Sequence, residues 1–174
     1  ENGIKSKVRF VNRLDRDTTG LTIVAKHALA GGILGNAVAK RAIHRTYYAV
    51  CSGCTPACMR ISAPIARKDA STIERCVDFK RGENAVTDFI RIKYNPDNNL
   101  SLVKLRLLTG RTHQIRVHMK YIGFPLIGDF LYNPDYTYIS RQALHSGRLV
   151  FTHPVTGQKM NLISDIPSDM KSLF

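Results

Sequence analysis

Residues 13–20 read Arg13-Leu14-Asp15-Arg16-Asp17-Thr18-Thr19-Gly20, with two carboxylates and two guanidiniums gathered in a polar turn rather than along a helix face. An arginine beside a carboxylate favours the ionised form, typically lowering a carboxyl pKa by about one to three units, so an Asp here stays available as a nucleophile or a base. The plainer reading is an Asp-Thr-Gly turn whose side chains satisfy their own backbone. A second segment, Thr109-Gly110-Arg111-Thr112-His113-Gln114-Ile115-Arg116-Val117-His118, puts many donors where a strand end meets a helix start. Unpaired backbone N–H groups and positive potential make such a start a platform for phosphate, although a solvated basic helix start has the same composition. Arg116 falls one turn after His113, whereas His113 and His118 are five apart and do not share a helical face, which argues against zinc. In a third segment, Arg45-Thr46-Tyr47-Tyr48-Ala49-Val50, strand alternation sends Tyr47 and Tyr48 to opposite faces, so one can line a cleft while the other packs.

The elements that must position these residues follow from periodicity and punctuation. Val8, Phe10 and Asn12 lead through the polar turn into the apolar run Leu21 to Ala25, which predicts strand, loop, strand. A helix is expected from about His27 to Ala42, weakened by Gly31, Gly32 and Gly35. Strands are expected over Tyr47 to Cys51, Arg60 to Ile65, Thr72 to Phe79, Asn84 to Tyr94 and Leu100 to Leu108, with a hairpin at Asn95-Pro96-Asp97-Asn98-Asn99. Thr112 is expected to cap a helix that runs to Ile122 and stops at Gly123; the tail, Leu144 to Ile163, reads as two more strands. Most connections are too short for βαβ crossovers, so the fold class is α+β, a mainly antiparallel mixed sheet with a few flanking helices.

The 174 residues suit one domain over 1–174, large enough for a core without disulfides or metal. No apolar run approaches the roughly 18 residues needed to span a bilayer, and Glu1 to Lys7 do not resemble a secretory signal, so a soluble, cytoplasmic monomer is expected. Cys51, Cys54, Cys58 and Cys76 are then expected as reduced thiols; zinc on the Cys51 and Cys54 pair is disfavoured because Cys51 sits inside a strand. Lys and Arg total 26 against 13 for Asp and Glu, a formal charge of +13 that implies a polyanionic partner, nucleic acid before membrane.

Together the segments resemble the RluA-type RNA pseudouridine synthases. Their first motif, His-Arg-Leu-Asp, two variable residues, Thr-Ser-Gly-Leu, stands here as Asn12-Arg13-Leu14-Asp15-Arg16-Asp17-Thr18-Thr19-Gly20-Leu21. The second appears as Arg45-Thr46-Tyr47-Tyr48-Ala49 followed by Gly53, and the third as residues 109–118 followed by Gly123-Phe124-Pro125-Leu126-Ile127-Gly128-Asp129 and Tyr132. Arg141, Leu144, His145 and His153-Pro154 complete the likeness, which covers about residues 10 to 160. Asn12 in place of His is the main departure. The chain starts just ahead of the first motif, so a catalytic domain truncated at its N-terminus is expected, without the small RNA-binding domain that many members carry.

The resemblance implies the pseudouridine synthase catalytic fold and an isomerase that turns uridine into pseudouridine within RNA, ribosomal rather than transfer RNA, with neither cofactor nor metal. It implies catalytic roles for Asp15, as the carboxylate that attacks C1′ or takes the C2′ proton; for Arg116, paired with it; and for Tyr47, stacked on the uracil. Arg13, Arg16, Arg45, Arg111, His113 and Lys120 are the implied RNA contacts, Arg13 filling the stack vacated by a flipped base. Lys40, Arg41, Lys104 and Arg106 are further candidates for phosphate. Asp17 and Asp129 are expected to be structural, Asp17 closing the turn and Asp129 bonding backbone near the cleft, and His113 and His145 to hold hydrogen-bonded positions. A catalytically inactive RNA-binding module of the same fold is the competing reading, against which the intact Asp15, Tyr47 and Arg116 set argues; a glycoside hydrolase would need a second carboxylate and an aromatic-rich cleft, and the chain has no Trp.

Overall fold

The computed structural model describes residues 8–69 and 73–174. The chain begins with β1 (Arg9–Phe10), β2 (Thr19–Gly20), β3 (Val24–Ala25), α1 (Ala28–Ala39), β4 (His44–Ser52), β5 (Cys58–Ser62), β6 (Ile65–Arg67) and β7 (Arg75–Val77). It continues through β8 (Val86–Asn95), β9 (Leu100–Leu107), α2 (Gln114–Tyr121), β10 (Leu144–Thr152), β11 (Lys159–Ile163) and α3 (Ser168–Lys171).

The main sheet runs β11-β10-β4-β9-β8-β5 and is antiparallel along that path, as the short connections require. Its register separates two cores. Tyr47, Ala49, Val103, Leu105 and Phe89 share one face and pack against Ile115 and Met119 of α2. Val50 and Leu100 lie on the other, against Ile127, Ile139 and Met170 of α3. Tyr47 and Tyr48 therefore part as alternation demands, Tyr47 in the first core and Tyr48 against the second. Burying one such leucine contributes about 1.5–3 kcal/mol. A third cluster seats α1 through Ala30 and Leu34 on Leu149 and Phe151 of β10.

Three expectations are corrected. The strand expected over Arg60 to Ile65 is two, β5 and β6, because Pro64 has no N–H for a ladder and the chain turns away there to pair β6 with β7. The strand expected from Thr72 is shorter, Arg75–Val77; Thr72 itself lies outside the described residues. Thr112 is not the helix cap: α2 starts at Gln114, preceded by His113 in the left-handed region at φ 56°. Instead the Gln114 amide folds back, its Oε1 accepting from Arg111 N at 2.9 Å and from Thr109 Oγ1 at 2.8 Å. Within the mixed sheet that was expected, β2 pairs parallel with β10, matching Thr19 to His145 and Gly20 to Ser146. Gly20 has φ +100°, and a Cβ there would lie 2.3 Å from the Ser146 carbonyl oxygen, so only glycine fits this approach. The α2 stop is as expected, Gly123 at φ +85° with Phe124 N donating to Met119 O.

Candidate active site

Asp15 sits in the turn before β2. Thr18 N donates to Asp15 O at 3.1 Å, and Asp17 takes the left-handed conformation that closes the turn, φ 67°. The β2 pairing then fixes the end of the turn to the sheet.

Arg116 reaches the turn from α2. Its side chain is 1% exposed, and burying an unpaired charge would cost several kcal/mol, so partners are obligatory. Asp129, itself 0% exposed, supplies them: Arg116 Nε and Nη2 donate to its two oxygens at 2.7 Å each. The Asp129 carboxylate also accepts from Leu131 N at 3.0 Å and Tyr132 N at 3.1 Å, the backbone bonding expected of it. The guanidinium lies 5.2 Å from the Phe130 ring centroid and 4.9 Å from that of Tyr132. Burial opposes the charge of Arg116, but the hydrogen bonds and charge of Asp129, then Asp15, more than offset it and hold its pKa above the ordinary value.

Nη1 alone is left for Asp15, at 3.4 Å from Oδ2. Arg116 and Asp15 do meet, but the firm partner of Arg116 is Asp129. The Asp15 side chain is 22% exposed and opens into a cleft of about 820 Å³. That volume lies within the roughly 300–1,000 Å³ of small-ligand sites. Among the described residues six arginines line it, Arg13, Arg41, Arg45, Arg106, Arg111 and Arg116, and Asp15 is the sole carboxylate on the wall. Such a surface attracts a polyanion and leaves one acid facing it.

Tyr47 forms part of the wall near Asp15 and is 5% exposed. Burial pushes its phenol above the ordinary value, against the pull of the Arg45 guanidinium, so it stays protonated. His113, also on the wall, has Nδ1 2.9 Å from Tyr132 Oη. That hydroxyl also accepts from Arg75 N at 2.9 Å. Burial holds His113 below its ordinary value despite the attraction of Asp15, and raises Tyr132 to about 12, so both are neutral near pH 7.

A family model described as RNA pseudouridylate synthase matches residues 1–121. The chain belongs to that family. Among curated RNA pseudouridine synthases it is 46% identical to YjbO of Bacillus subtilis, an uncharacterised one, over 99% of this chain and 60% of that protein. It is 38% identical to the ribosomal large subunit pseudouridine synthase D of Zymomonas mobilis, over 95% of this chain and 55% of that protein. Among solved structures it is similar to human RNA pseudouridylate synthase domain containing 1, with TM-score 0.80 and 26% identity over 91% of this chain and 69% of that one. The chain thus spans about 60% of the curated relatives' length.

The remaining expected contacts divide. Arg13, Arg45, Arg111 and His113 lie on the cleft wall, with Arg111 also paired to Glu83. Arg16 and Lys120 do not line it. Arg16 is 80% exposed, bonded to Asp17 at 3.3 Å and stacked 5.3 Å from the Phe130 centroid; Lys120 lies over the Tyr132 ring at 5.5 Å. Lys40 and Lys104 are likewise absent from the wall, whereas Arg41 and Arg106 are on it. Asn12, the departure from the family motif, is buried, and its Oδ1 accepts from Ile23 N at 3.0 Å, so it clamps the strand pair around the turn. Two features escaped sequence reasoning. Phe130 lies against both Arg16 and Arg116, and its only signal was its place between Asp129 and Tyr132. The second is a buried polar chain: Gln114 Nε2 donates to Thr87 Oγ1 at 2.9 Å, and Thr87 bonds His118 Nδ1 at 2.9 Å. His118 Nε2 in turn bonds the Ala63 carbonyl at 2.9 Å. It fixes the start of α2, hence Arg116, to β8.

Proposed function

We propose that this protein is an RNA pseudouridine synthase that isomerises a uridine of large-subunit ribosomal RNA, with Asp15 as the essential carboxylate. One observation carries the reading: among the described residues, the single acid of a cleft lined by six arginines touches a buried arginine and still opens to the cleft. The substrate lean is supported by the 38–40% identity to ribosomal large subunit pseudouridine synthases D. Action in the cytoplasm follows from that substrate; among the described residues no helix is long and apolar enough to cross a membrane.

The reaction breaks C1′–N1, turns the uracil, joins C1′ to C5 and moves the C5 proton off, leaving N1–H. Uridine within a duplex must first be extruded, at a cost of a few kcal/mol that is least in loops and bulges. Arg13, which lines the cleft, would fill the gap, and Arg45 and Arg111 would take phosphates. Asp15 starts the chemistry, by attack on C1′ or by removing the C2′ proton. Arg116 orients it through Nη1; because Asp129 already balances most of the guanidinium charge, Asp15 keeps lone pairs free for the sugar. Tyr47 packs against the detached uracil, and its protonated phenol suits it to relay the C5 proton rather than to act as a phenolate base.

The test uses a large-subunit ribosomal RNA transcript with uridine tritiated at C5, since pseudouridine formation releases that tritium. Asp15→Asn is expected to lower release on the order of 10⁴-fold or more while RNA binding persists. Binding without release by the unaltered protein would instead identify an inactive RNA-binding module.

A further inference from the structure

Asp15 is carried by a turn whose far end is fastened to residues 141–146, which lead into and begin β10. Two side chains make the fastening. Gln142 Nε2 donates to Thr18 Oγ1 at 2.5 Å, and Thr19 Oγ1 lies 2.9 Å from His145 Nδ1. His145 Nε2 is 3.2 Å from the Ser164 carbonyl. A carbonyl only accepts, so Nε2 carries the proton and Nδ1 accepts from the Thr19 hydroxyl. Backbone bonds complete the seam: Leu21 N donates to Ser146 O at 2.9 Å.

Gln142 is the telling residue. It is 1% exposed, yet its Oε1 has no hydrogen-bond partner. An amide buried with an idle acceptor is costly, and an apolar side chain would fill that space more favourably. What Gln142 retains is the one bond to Thr18, three residues from Asp15. The segment is braced from behind: Arg141 forms a two-point ion pair with Asp169 of α3, at 2.9 Å on both bonds, and its Nη1 donates to Gln142 O at 3.0 Å.

We propose that Gln142 and His145 are positioning residues of the reaction, a two-point latch that holds Thr18 and Thr19 and through them sets the Asp15 carboxylate against Arg116. Neither reaches the cleft wall, so neither touches substrate. The Asp15–Arg116 contact is single and long, so the turn must share with it the work of holding the carboxylate in place. Displacing a reacting group by about 1 Å can cost on the order of 100-fold in rate. This rests on the role proposed above for Asp15.

The experiment compares single-turnover tritium release with RNA affinity, on the same C5-tritiated large-subunit transcript. Gln142→Leu and Thr18→Val are each expected to slow release roughly 10- to 100-fold with RNA affinity unchanged. The double variant should fall no further than the worse single, because both remove one bond. Thr19→Val should slow release similarly, and Thr19→Ser, which keeps the hydroxyl, should restore it. Unchanged rates, additive losses, a defect confined to RNA affinity, or a lower melting temperature with no rescue by Thr19→Ser would each overturn the latch. Asp15→Asn separates the two layers. If that variant still releases tritium, the functional reading fails whatever the latch variants do; if it is silent while they are unimpaired, the latch alone fails.

Discussion

Two arginine–carboxylate pairs in this molecule share one geometry and differ in surroundings. Arg116 grips Asp129 through Nε and Nη2 at 2.7 Å each, and Arg60 grips Asp88 the same way at 2.6 and 2.8 Å. The first pair is 1% and 0% exposed, the second 64% and 32%. In water the Arg60 pair exchanges one set of hydrogen bonds for another and is screened by salt, so good geometry contributes little. In the interior each partner of the Arg116 pair is unaffordable without the other. Burial rather than bond length decides what a salt bridge is for, and the buried pair serves to set a cation beside Asp15.

The sharpest way to break this contrast is Asp129→Asn. Removing one member of a buried pair typically costs about 3–5 kcal/mol. Urea denaturation should show a loss of that size, and tritium release should collapse with it. A loss no larger than that of an exposed pair would end the distinction. Next comes Gln114→Leu, which strands Arg111 N and leaves the Thr109 hydroxyl without its acceptor; about 2–4 kcal/mol is expected from unsatisfied polar groups, read by the same denaturation.

A smaller effect comes from pH. Burial holds His113, His118 and His145 below their ordinary values, so the unfolded chain binds more protons once pH drops toward about 6.5. Stability is therefore full above that pH and falls as pH is lowered through it toward the depressed folded values. Calorimetry from pH 7.5 to 5 should show a declining melting temperature, and His118→Gln should flatten part of the decline. A melting temperature that rises on acidification would contradict the assignment. The smallest expected effect is that of Arg60→Ala, which should leave the melting temperature unchanged within error.

Much of the scaffold was legible because strand alternation and turn residues are local signals. The segments at 86–95 and 100–107, the hairpin between them and the stop at Gly123 follow from sequence neighbours. The misreadings share one cause. Thr112 looked like a cap, but Gln114 took that work, bonding Thr109 and also the backbone of β8 28 residues away, a contact that no local window contains. Pro64 marked a break whose consequence depended on β7 being there to receive β6. That Arg16 and Lys120, RNA contacts by resemblance, rest on aromatic rings and do not line the cleft was likewise decided only by the fold.

By itself the sequence determined the chemistry available: an acid in a polar turn, a guanidinium at a helix start, an aromatic strand and an excess of positive charge. Residue types and short spacings encode these because each rests on bonds within a few residues. Only the tertiary structure decided who holds whom. Asp15 and Arg116 are 101 residues apart in the chain, and Arg116 gives its two best bonds to Asp129. The physical reason is that a buried charge must be matched where the fold places it, and that place is set by the packing of α2 against a sheet assembled from distant strands.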